Sequence, residues 1–233
     1  DEAAGLPAAR ESPFTHWMPY RRTENVVRRL AAREQAILTA ALSLAAEGGM
    51  HAVQIAAVAK RANIAAGTVY RYFPSKSDLI AEVIAAVSAR ELTALRRAAD
   101  AAPGPLSALA AAVATFAARA LAERKLAWAT LAEPVDADID AMRLDFRQSV
   151  AAEIEARIRA ARTRQLLPEQ DARAAAPAIV GALVEGLIGP LAPDHAEAAA
   201  AREAVQEMTL MALRALGVID ARARGLVAQV PLP

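Results

Sequence analysis

Val58-Ala59-Lys60-Arg61-Ala62-Asn63-Ile64-Ala65-Ala66-Gly67-Thr68-Val69-Tyr70-Arg71-Tyr72-Phe73-Pro74-Ser75-Lys76 is the stretch whose reading decides the fold. Two short helical runs, Val53 to Ala62 and Ala65 to Tyr72, meet at Asn63-Ile64, a junction tight enough for a helix-turn-helix. In the first run Ile55, Val58 and Ala62 share the inward face; in the second Val69 and Phe73, four residues apart, anchor the helix to the core. That phase turns Ala66, Thr68, Tyr70, Arg71 and Tyr72 outward. A hydroxyl, two phenols and a guanidinium on one short helix suit a DNA major groove, where Arg bonds guanine or phosphate, Tyr phosphate, and Thr a base edge or a thymine methyl. Gly67 marks the closest backbone approach to DNA, and one of the two tyrosines is expected to serve mainly in packing. Ser75 and Lys76 open the next helix, whose N-terminus suits phosphate.

Upstream, Ile37, Ala41, Leu44 and Ala45 fall at helical spacing and predict a helix from Arg33 to Glu47, ended by Gly48-Gly49. Downstream, Pro74 stops the second short run, and a long helix from Ser75 to Ala99 carries Leu79, Ile80, Val83, Ile84 and Val87 on one stripe. From Ala36-Ile37-Leu38 through Gly48-Gly49 to Tyr70-Arg71-Tyr72-Phe73 and Ser75-Lys76-Ser77-Asp78-Leu79, the segment resembles the DNA-binding head of the TetR/AcrR family of transcriptional regulators. The resemblance implies an operator-binding head, a homodimer through the last two long helices and a small-molecule effector site in a helical body. The sequence departs from the family pattern at Gln54, Ala56 and Ala57, and at Ala65-Ala66, where hydroxyl-bearing or charged residues are usual. Lys60, Arg61 and an arginine-bearing arm are the candidates to replace those phosphate contacts, with Gln54 in support.

The bulk properties agree with an all-α chain. Hydrophobic content is 55%, about half of it Ala, and aromatics are only 4%, a composition that favours helices over twisted sheets. The absence of cysteine removes disulfides, thiolate metal sites and cysteine nucleophiles, and His16, His51 and His195 form no ligand pair, so no metal is expected. No phosphate loop, nucleophile elbow or HExxH motif is present, so neither a catalytic residue nor a cofactor is expected. Residues 1–76 carry ten Lys and Arg against six Asp and Glu, a basic head on a body whose net charge is −3. The first thirty residues lack the apolar core of a signal peptide. Ala174 to Leu191, interrupted by Pro177 and bearing Glu185, reads as buried against protein rather than lipid. A cytoplasmic protein without a membrane partner is expected.

Pro103-Gly104-Pro105, Pro134, Leu167-Pro168 and the run from Gly189 to Pro193 break the remainder into five helices, for about nine in all. The predicted organisation is a flexible basic arm (1–32), the helix-turn-helix head (33–78), an effector-binding and dimerisation body (79–220) and a tail (221–233). Phe116, Trp128, Met142 and Phe146 are the large apolar side chains of the central body, with Arg119, Glu133 and Asp145 nearby in sequence, which points to a mainly apolar effector. Ile179, Val180, Leu183, Val184, Leu187 and Ile188 form a broad apolar surface, taken here as the dimer face. The competing reading is a helical small-molecule-binding protein of the same fold with weak or lost operator binding. Salt-dependent DNA binding separates the two.

Overall fold

The computed structural model describes residues 24–134, 137–195 and 197–231. Among them are ten α-helices and no strand. The first, α1 (Glu24–Gly48), begins well before the predicted Arg33. Residues 24–32 are therefore helical rather than part of a flexible arm. Only Val26 and Leu30, one turn apart, are half-buried there, and Val27 is 51% accessible, so the apolar stripe is short and Arg, Leu and Ala carry much of the helix by propensity. Residues 1–23, including Tyr20-Arg21-Arg22, lie outside the described residues. Gly49, just past α1, has φ 76°, which favours glycine, and a Cβ there would press on the Glu133 carboxylate at 2.9 Å, which would have to move aside.

After a single turn at Met50–Ala52 come α2 (Ile55–Arg61) and α3 (Ala66–Tyr72). The junction between them is a Schellman motif. Asn63 adopts φ 53°, its N–H bonds to the Lys60 carbonyl at 3.2 Å, and the Ile64 N–H reaches the Ala59 carbonyl at 3.0 Å. Helix α4 (Lys76–Asp100) opens on a capping box in which Ser75 Oγ accepts from Asp78 N, and the Asp78 carboxylate from Ser75 N.

The body is built around α5 (Pro105–Ala122), with Pro105 at its first position. This helix is apolar around most of its circumference because α4, α7, α9 and α10 all pack on it, and its alanines let them come close. Among the described residues it is the one helix long and apolar enough to cross a membrane, and here it forms the body's core. Around it lie α6 (Arg124–Leu131), α7 (Ala137–Thr163), α8 (Ala172–Leu183) with a π-turn at Val184–Ile188, α9 (Ala198–Ala215) and α10 (Asp220–Gln229). The last falls where a tail was expected; it packs on α9 and α5, with Ala223 buried.

The apolar surface assigned to dimerisation lies elsewhere than expected. Ile179, Val180, Leu183, Val184, Leu187 and Ile188 are all buried within a single chain, because α8 lies on α7 and the π-turn lies on α5 and α6. Periodicity marks an apolar face but not what covers it. Beyond Arg173 in its first turn, α8 leaves small residues outward, Ala174, Pro177, Ala178 and Gly181, followed by Glu185 in the π-turn.

Candidate nucleic-acid interface and effector cavity

Val69 is fully buried and Phe73 nearly so, which pins α3 and fixes what it presents. Tyr70 is 52% accessible, and Ala66, Gly67 and Arg71 are exposed beside it. Thr68 and Tyr72 are half-buried, Tyr72 packing against the core, so the outward set is narrower than helical phase alone suggests. A Cβ on Gly67 would meet nothing within 4 Å, so no contact inside the chain demands glycine there. Gln54 sits at the N-cap of α2 and donates its amide to the His51 carbonyl at 2.7 Å. Lys76 is the first residue of α4 and half-buried.

Two expected phosphate contacts are already engaged. The Ser75 hydroxyl is held by Asp78, 2.8 Å from its carboxylate, and that carboxylate occupies the N-terminus offered to phosphate. Arg61 forks onto Glu47 at 2.5 and 2.7 Å and also reaches Ser43 Oγ at 2.5 Å, clasping α2 to the end of α1. The hydrogen bond from Arg61 holds the Glu47 carboxyl at about 2 rather than the ordinary 4.5. Of the arginines expected on the arm, Arg29 is carried instead on the first turns of α1, one helical turn before Arg33. Arg29 and Arg33 line, with Asn63, Arg71 and Tyr72, an open cleft of about 580 Å³ between α1 and the α2–α3 turn.

In the body, Phe116 and Arg119 of α5 and Phe146 of α7 meet around one cavity, together with Val87 and Glu91 of α4 and Leu126, Thr130 and Leu131 of α6. At about 20 Å³ it has room for about one water. Trp128 and Met142 are outside this lining: both are half-buried, and Met142 stands one position off the inward stripe of α7 that runs Ile139, Arg143, Phe146, Val150, Ile154. Arg119 is paired with Glu91 at 2.5 Å, and Arg90 bonds Glu91 at 2.7 Å and Glu123 at 2.8 Å, so ion pairs close the α4–α5 side.

Glu133, near the effector residues in sequence, turns to the head instead. Its Oε2 accepts the Met50 N–H at 2.8 Å, and its Oε1 stands 3.5 Å from His51 Nδ1. Near the other end of α6, Lys125 Nζ donates to the Glu47 carbonyl at 3.2 Å. Residues flanking and opening α6 thus brace the end of α1, while its middle walls the cavity. Among the described residues no group of His, Asp or Glu is arranged to hold a metal ion.

A head that displays one short helix of a tight helix pair, carried on an all-helical body, defines the class of helix-turn-helix proteins. Residues 37–83 match the family model for bacterial regulatory proteins of the tetR family, and the head belongs to that family. Over 53 residues, 23% of this chain, it is 55% identical to the HTH-type transcriptional repressor KstR of Rhodococcus jostii. The matched stretch spans 25% of that relative's length. Similarity of fold extends much further. Salmonella enterica GusR superposes with a TM-score of 0.65 over 83% of this chain and 97% of its own, at 24% identity. The transcriptional regulator FadR of Bacillus subtilis, in complex with stearoyl-CoA, superposes with a TM-score of 0.63 over 75% of this chain and 97% of its own, at 18% identity.

Proposed function

We propose that the chain is a DNA-binding transcriptional regulator and not an enzyme: a homodimeric repressor that leaves its operator when a mainly apolar small molecule enters the body. The observation that carries this reading is α3 itself, pinned by Val69 and Phe73 and displaying Ala66, Gly67, Tyr70 and Arg71 beside a cleft lined by Arg29 and Arg33. Tyr70 and Arg71 read base edges or adjoining phosphates, Thr68, Tyr72 and Gln54 support them, and Lys76 and the cleft arginines hold the backbone. Reading a duplex with two heads roughly 34–36 Å apart requires a dimer. The exposed small residues of α8, Ala174, Ala178 and Gly181, permit close helix approach between two copies. Such a protein works in the cytoplasm, where its DNA is.

Release follows from α6. An effector that widens the cavity between Phe116, Leu126, Leu131 and Phe146 displaces the helix whose flanks hold the Gly48–Met50 corner of the head, and so alters the spacing of the two heads. A tenfold difference in effector affinity between the two arrangements is worth about 1.4 kcal/mol, and DNA weakens effector binding by the same factor. Selection of bound fragments from a random duplex pool by the purified protein tests the reading. A pseudopalindromic enriched sequence is expected; no enrichment overturns it.

A further inference from the structure

The inward stripe of α7 is apolar at Ile139, Phe146, Val150, Ile154 and Ile158, yet the position between Ile139 and Phe146 is an arginine. Arg143 has 0% accessibility. Its Nη2 donates to the Ala129 carbonyl of α6 at 2.5 Å, while Nε and Nη1 are buried with no hydrogen-bond partner. Burial pushes its pKa down; Glu133 and Asp140 favour the charged form at longer range and Arg147 opposes it. A core that needed only packing would carry an aliphatic residue here, since replacing a buried charge by an apolar side chain of similar volume is often neutral or stabilising. Stability alone therefore does not account for the guanidinium.

Its place in the fold gives it a use. Arg143 lies one turn from Phe146, which walls the cavity, and its single bond lands on α6 next to Thr130 and Leu131, which wall it too. Two unpartnered donors of a planar guanidinium are thus buried one helical turn from Phe146, outside the lining of a small cavity whose walls are apolar apart from Thr130 and the ion-paired Arg90, Glu91, Arg119 and Glu123. That pairing of groups matches an amphipathic molecule with an acidic oxygen at one end. We infer that Arg143 receives the anionic group of the effector, a carboxylate or an equally acidic oxygen on an apolar frame. The inference deepens the regulator reading and rests on it. It also refines the route of release: an anion drawn onto the fork competes with the Ala129 carbonyl, which loosens α6 from α7.

The test uses thermal unfolding of the full chain with decanoate and 2-naphthoate, each against its neutral amide, for the wild type and Arg143→Met. In the wild type at least one carboxylate raises the melting temperature where its amide does not, and the same compound lowers duplex affinity about tenfold. Arg143→Met melts at or above the wild-type temperature, still binds duplex DNA and loses the carboxylate response. Equal shifts from acid and amide, no shift from either acid, or a carboxylate response that persists in Arg143→Met each overturn the assignment. So does a variant that melts well below the wild type, which marks the guanidinium as structural. A wild type that responds to the carboxylate but binds no duplex sinks the regulator reading instead, so the two failures are distinguishable.

Discussion

Replacing Glu133 by alanine tests the brace between body and head. Its side chain is 16% accessible and its carboxylate accepts the Met50 N–H at 2.8 Å beside Gly49, whose positive φ disfavours any other residue. A hydrogen bond to a charged group contributes about 1.5–3 kcal/mol, and here its loss also leaves a part-buried N–H without its acceptor. A value near 2 kcal/mol lowers the melting temperature of a chain this size by roughly 4–8 °C. Glu133→Gln keeps an acceptor oxygen and loses only the charge, so about half that fall is expected. Because the same contact fixes the head on the body, Glu133→Ala also weakens duplex binding severalfold while leaving α3 intact. Calorimetry and fluorescence anisotropy on the same preparations read both effects. A Glu133→Ala protein that melts within a degree of the wild type and binds duplex equally would refute the claim that α6 carries force to the head.

Replacing Tyr70 or Arg71 by alanine should cost about 1–3 kcal/mol of specific binding, whereas Lys76→Ala should weaken all sequences alike and flatten the salt slope; gel-shift titrations on matched and scrambled duplexes distinguish them. Leu187 is fully buried within one chain, so Leu187→Glu should unfold the protein, while Gly181→Glu on the exposed face of α8 should yield folded monomers by sedimentation. A Gly181→Glu protein that sediments as a normal dimer would move the interface off α8. The Glu47–Arg61 clasp should show in acid: with its carboxyl held at about 2 against an ordinary 4.5, it contributes fully above pH 4.5 and is lost as pH falls toward 2, a slope that Glu47→Gln should remove from melting curves across that window.

The head was legible in the sequence because its helices are short, closely spaced and each pinned by few apolar positions. Val69 and Phe73 set the phase of α3, and the tight junction falls at Asn63-Ile64, where Asn63 takes up a left-handed conformation that the residue order alone does not declare. What escaped were helices with little apolar stripe. Residues 24–32 and α10 bury too little to show a period, so their helicity comes from propensity and from neighbours that no local window contains. The body failed differently. Periodicity shows its apolar faces, but which partner covers each depends on packing: the face of α8 that resembles an outer surface in sequence lies against α7. Arg119 and Glu133 were noticed as polar groups, whereas their engagement by Glu91 and by the Met50 amide is a long-range matter. Arg143 was readable as a charge breaking an apolar stripe.

The measurement closest to the central claim is the ratio of operator to non-operator affinity for the wild-type protein, taken across a series of salt concentrations. A sequence-reading dimer gives a ratio of roughly 10³ or more, with both affinities falling steeply as salt rises. Equal affinity for both duplexes at every salt concentration, or no binding at all, would contradict the account.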